Sequence, residues 1–130
     1  MHVILSAILL ALAILDLVLG TSFLVDPASA ASDFGLTIAS THGESTLRGD
    51  MTAFFYVTAL SLGWGAWKRR GEVLLPALGL FGIAFIGRFI NVVAQGPYEG
   101  WMVPMAVEGF HCIVIIIAIR AWGSGQAAAA

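Results

Sequence analysis

Residues 3–25 read VILSAILLALAILDLVLGTSFLV, an apolar run interrupted by a single charge, Asp16. A hydrocarbon core about 30 Å thick needs roughly 20 mostly apolar residues in a helix to cross it, and this run is long enough. Ala28-Ser29-Ala30, just beyond it, resembles a signal-peptidase site. Three features argue against cleavage: the segment has no basic start, its apolar run is too long, and it contains an acid. The reading is a retained transmembrane helix.

The rest of the chain agrees with that start. Of 130 residues, 59% are hydrophobic and 11% charged, with a net charge of −2 and a mean hydropathy of +0.94. Soluble domains carry about 25% charged residues, and a small soluble domain leaves much of its surface in water. A lipid surround removes that conflict. No basic patch is present for nucleic acid, and the lone Cys112 excludes an internal disulfide.

Three further spans follow the first. One runs from about Asp50 to Trp67 and ends at Lys68-Arg69-Arg70. The next covers about Val73 to Ala94, with Pro76 in its first turn, where a missing N–H does no harm, and stops at Gln95-Gly96-Pro97. The last runs from Trp101 to Trp122, and Gly123 to Ala130 reads as a disordered tail. The expected fold is an all-α integral membrane four-helix bundle, a single domain over residues 1–122. Its one long connection is Asp26–Leu47, in which Phe34, Leu36 and Ile38 either anchor an interfacial segment or pack on the bundle.

The positive-inside rule puts Lys68-Arg69-Arg70 in the cytoplasm, which places both termini inside and the Asp26–Leu47 and Gln95–Gly100 loops outside. Trp64, Trp67 and Trp122 then fit an inner aromatic belt, with Tyr98 and Trp101 in an outer one. Lys68-Arg69-Arg70 is too small a cluster for specific phosphoinositide recognition and suits anionic lipid contact.

Charges inside a bilayer are costly and mark function or a partner. At about 1.5 Å per residue, Asp16 lies roughly 15 Å below the outer end of its helix, and Arg88 and Glu108 roughly 10 Å below theirs. Arg48 and Asp50 sit at the outer mouth of the second span. Arg88, Asn91 and Gln95 share one stripe, and Glu108 and His111 stand one turn apart. The expectation is a polar layer in the outer half, formed by Asp16, Arg48, Asp50, Arg88, Asn91, Glu108 and His111, with Arg88 paired to Glu108, Asp16 or both. Three acids against two arginines leave one negative charge, unless His111 or an acid is protonated. Such a layer either sets helix register or holds a ligand head group.

Other chemistry is thinly represented. Glu108 and His111 make one Glu-x-x-His pair, whereas di-iron bundles need two with further glutamates; a mononuclear set of Asp16, Glu108 and His111 is the remaining metal option, and no metal is assigned. His2 and His42 lie outside the spans, so His111 has no mate for a haem. No hydrolase triad or phosphate loop is visible. Ala7/Ala11, Ala59/Gly63, Ser61/Gly65 and Gly79/Gly87 repeat small residues at spacings that let helices approach closely, read here as packing within the bundle, with a partner interface as the alternative.

Arg48-Gly49 at the outer mouth, Gly87-Arg88 late in the third span and Glu108 in the fourth, with Pro27 and Gly35 in the first loop, make a pattern over nearly the whole chain. It resembles an uncharacterised family of small bacterial four-helix membrane proteins. Asp50 departs from the glycine-rich continuation expected there. More distantly, the arrangement is similar to the ergosterol-biosynthesis scaffold protein, a four-helix membrane protein that tethers enzymes. The resemblance implies a bacterial cytoplasmic-membrane protein with a scaffold or lipophilic-ligand role.

Three functions stay open on these residues. The leading one is a non-enzymatic accessory subunit or scaffold of a membrane complex or homo-oligomer, in contact with membrane lipids. The second is a binding protein for a lipophilic molecule such as a quinone, isoprenoid, lipid or pigment, its head held by the polar layer. The third is a small proton-coupled transporter using Glu108 or Asp16. No cofactor follows from the sequence.

Overall fold

The computed structural model describes residues 1–127, and all regular structure among them is helical. The elements are α1 (His2–Val25), α2 (Pro27–Asp33), α3 (Thr41–Lys68), a 3-10 turn (Gly71–Leu74), α4 (Leu75–Gln95) and α5 (Met102–Ala127). Three segments are long and apolar enough to cross a membrane: His2–Val25, Gly71–Gln95 and Met102–Gly123. The third long helix, α3, is not in that class: even its apolar stretch, residues 50–67, expected as the second span, is diluted by Asp50, Thr52, Tyr56, Thr58, Ser61 and its glycines and tryptophans.

The polar first turns of α3 extend a helix that the apolar run alone started at Asp50. Ser40 caps α3, its hydroxyl accepting from the Gly43 N–H at 3.1 Å, and Glu44 lies in the first turn, where the helix dipole favours an acid. At 28 residues and about 1.5 Å each, α3 outreaches a 30 Å hydrocarbon core. Within the long connection, Asp26 caps α2 by accepting from Ser29 N–H at 3.2 Å, with Pro27 in the first turn. At the far end, α5 continues to Ala127, five residues into the segment expected to be tail; residues 128–130 of that tail lie outside the described residues.

The four long helices run alternately up and down. α1 and α3 are antiparallel partners: Ser6 Oγ donates to Ala66 O at 3.2 Å near one end, and Thr52 Oγ1 to Gly20 O at 3.3 Å near the other. α5 runs antiparallel to both α4 and α1; its Trp122 donates to His2 Nδ1 at 3.1 Å. Trp122 is 5% exposed, so it belongs to the core and not to an aromatic belt. A bulky indole has room there because its N–H finds a partner.

Two clusters fill the interior. Toward the termini, Leu5, Leu9, Leu12, Leu62, Leu74, Val114, Ile115 and Trp122 pack together. Toward the loops, Phe23, Ala30, Ala31 and Phe55 pack, joined by Phe34, Ile38 and Phe54. Phe34 and Ile38 thus pack on the bundle, whereas Leu36 is exposed.

The small-residue pairs divide between two uses. Gly65 faces Leu74, whose Cγ would stand 2.8 Å from a Cβ there, and Ser61 Oγ donates to Val73 O at 2.6 Å. Gly63 lies 3.9 Å from the Ala13 Cβ, again as Cβ distance. Ala7 and Ala11 instead face outward, and Gly79 and Gly87 have nothing within 4 Å. The outward pairs do not serve packing within the chain.

Candidate functional site

The interior between the two clusters is where buried charge collects. Asp16 reaches it from the middle of α1, His111 and Glu108 from α5, and Arg88 from α4. Asp16 and His111 are almost wholly buried, at 1% and 0% exposure, and Glu108 at 7%.

Arg88 Nε donates to Glu108 Oε1 at 2.8 Å, with the arginine side chain a third exposed. The Tyr98 hydroxyl also lies beside that guanidinium, linking the pair to the α4–α5 loop. A buried ion pair holds only when its geometry and extra hydrogen bonds offset desolvation; here the charge-assisted bond is short, but the second glutamate oxygen, Oε2, has no partner.

Asp16 does not meet Arg88. Its Oδ1 faces His111 Nε2 at 3.5 Å, a spacing beyond an ordinary N–H···O hydrogen bond. The other ring nitrogen, Nδ1, lies 2.8 Å from Val107 O, one turn back on α5. Both Asp16 oxygens and His111 Nε2 lack a hydrogen-bond partner. Leaving a buried polar group unsatisfied costs about 1–3 kcal/mol, so these side chains are an expense the fold carries.

An aromatic wall flanks the histidine. Phe81 stacks on its ring at 4.0 Å and 28°, Phe54 meets Phe81 edge-on at 5.5 Å, and Phe55 continues to Phe23 at 6.2 Å. The Phe54-Phe55 pair is therefore packing around the layer.

The remaining expected members stand elsewhere. Arg48 pairs with Glu44 at 2.7 Å on the surface of α3, and Asp50 and Asn91 are exposed. Asn91 shares a stripe with Arg88, but a three-residue step turns about 300° around a helix, enough to carry it off the α5 contact. Thr58, which no charge or spacing argument singled out, is fully buried and bonds the Phe55 carbonyl at 2.9 Å. Among the described residues no group of three His, Cys, Asp or Glu side chains is placed to hold a metal ion.

The layer lines neither of two open grooves along α1. One, about 580 Å³, lies between α1 and α2 and includes Thr21, Ser22, Asp26 and Asp33. The other, about 250 Å³, lies between α1 and α3 and is lined by Leu10, Ile14, Tyr56 and Leu60, among others.

Compared with protein-family models, curated proteins and solved structures, the chain matches none of them.

Proposed function

We propose that this chain is a non-enzymatic accessory subunit or scaffold of a membrane complex, inserted through four spans with both termini on the cytoplasmic side. The observation that carries this reading is the outer face of α4. Along that helix only Ala77 and Phe81 are buried. Gly79, Ile83, Ile86, Ile90 and Val93 repeat at alternating steps of four and three and face outward, Ile83 and Val93 being more than 70% exposed. Apolar residues at that spacing form the seam by which one helix packs on another, and Gly79 lets a partner backbone approach closely. Lipid requires only an apolar surface, and the regular seam supports a helix as occupant.

Four spans are supported by the antiparallel pairing of α1 with α3 along most of their length, which sets α3 at the depth of α1. Lys68-Arg69-Arg70 supports the orientation. A bacterial cytoplasmic membrane is proposed on the pattern of Arg48-Gly49, Gly87-Arg88 and Glu108 alone.

The other two readings draw less support. A lipophilic ligand with its head on the polar layer finds no support in the two grooves along α1, neither of which is lined by a residue of that layer. A transporter draws less support because the buried hydroxyls toward the termini, such as Ser61, are bonded to backbone carbonyls among aliphatic side chains.

The test is cross-linking in native membranes from Ile86→Cys in a Cys112→Ser background. A single defined adduct, with another protein or a second copy, is the expected result. An uncross-linked chain that also purifies alone in mild detergent overturns the proposal.

A further inference from the structure

The protons of the Asp16–His111 pair follow from its stereochemistry. His111 Nδ1 lies 2.8 Å from Val107 O, and a carbonyl oxygen only accepts, so Nδ1 carries hydrogen. In a neutral ring Nε2 is then a bare lone pair. It points at Asp16 Oδ1, 3.5 Å away. An ionised Asp16 would set lone pair against lone pair, with both its oxygens lacking a donor and both side chains sealed from solvent. One added proton resolves the conflict in either of two forms, acid beside imidazole or carboxylate beside imidazolium. In both the pair is neutral, as is the neighbouring Arg88–Glu108 pair, and the layer then carries no net charge.

The surroundings decide how that proton arrives. On the terminal side Leu9, Leu12, Leu62, Val114 and Ile115 are buried and offer no polar atom from their side chains, and the buried hydroxyls of α3 there, Thr58 and Ser61, are bonded to the carbonyls of Phe55 and Val73. The Phe81 ring covers the imidazole face. On the loop side Glu108 lies one turn from His111 with Oε2 unpartnered, followed by Arg88 and the half-exposed Tyr98. Cys112 adjoins on α5, and the ionisable residue of α3 between Asp50 and Lys68, Tyr56, is bonded to the Thr21 hydroxyl at 2.9 Å.

We infer that Asp16 and His111 form an occluded binding site for one exchangeable proton, reached from the loop end through Glu108, Arg88 and Tyr98 and closed toward the termini. It is a well with one mouth: protons enter and leave on the same side. This holds whatever partner contacts α4.

The experiment is nitrogen-15 histidine NMR on the full chain in lipid nanodiscs, with His111 assigned by its loss in His111→Gln. At neutral pH the expected spectrum has hydrogen on Nδ1 and a proton-sharing Nε2, the 3.5 Å gap to Asp16 closing into a hydrogen bond as the proton bridges it. In Asp16→Asn the amide donates to Nε2, so that nitrogen shifts to a plain acceptor and the pair takes up one proton fewer. A bare Nδ1, or an Nε2 signal indifferent to Asp16→Asn, overturns the site. The wild-type tautomer decides the first point even if the variant fails to fold. In proteoliposomes the wild type should hold an imposed pH gradient as well as Asp16→Asn does. A leak seen only in the wild type overturns the closed end.

Discussion

The terminal half of the bundle is joined by Leu9, Leu62, Leu74, Val114 and Ile115, whereas the loop half mixes phenylalanines with Asp16, Glu108 and His111. In lipid the aliphatic half gains little from hiding apolar surface, because lipid tails are equally apolar; close packing holds it. Gly65 accepts Leu74 where any larger residue would collide, and Gly71 brings Ile119 within 3.0 Å of where a Cβ would stand. The loop half gives up part of that packing to hold polar groups that are incompletely bonded. The difference teaches that one half is built for cohesion and the other tolerates a cost, at the residues of the proposed proton site.

The comparison is broken most forcefully at Glu108. Replacing it by leucine leaves the Arg88 guanidinium without its carboxylate, and losing one partner of a buried pair costs about 3–5 kcal/mol. Unfolding by titrated denaturing detergent in mixed micelles should show that loss. The double variant Arg88→Leu with Glu108→Leu should recover most of it, because it is the stranded charge that destabilises. A double variant as weak as the single one would mean that the pair itself supplies cohesion, erasing the contrast between the halves.

In the aliphatic half, Ile115→Ala removes a fully buried side chain and should cost about 2–5 kcal/mol through the cavity left behind. Here a compensating second deletion should not help. If a polar-layer partner deletion rescued it, the two halves would be one coupled unit.

Arg48→Ala sets the lower bound. Its ion pair with Glu44 joins side chains about 40% exposed on one helix face, and such pairs contribute about 0.2–0.5 kcal/mol. The same unfolding titration should barely move. A loss above about 1 kcal/mol would place Arg48 in a tighter environment than a surface pair has.

The long apolar runs make α1, α4 and α5 legible, because membrane helices are announced by composition. The start of α3 was hidden by the polar Thr41–Leu47, although Ser40 and Glu44 carry a cap signal that hydropathy ignores. Asp26-Pro27 likewise marks the start of α2. Within the polar layer, the pairing of Arg88 with Glu108 follows from depth and charge. That Asp16 meets His111 and not Arg88 depends on the rotation of α1 against α5, and no spacing within either helix encodes it. The same rotational blindness placed Asn91 in the layer and Trp122 in a belt.

The bond from Trp122 to His2 spans 120 positions of the chain, and the first and last helices are neighbours. During synthesis α1 and α3 exist before α5 has been made. Asp16 must therefore enter the hydrocarbon ahead of the histidine that meets it, at an insertion cost of about 2.5–3.5 kcal/mol for an acid at a helix centre. The acid of the proposed proton site then waits among α1 and α3 until α5 brings His111 beside it.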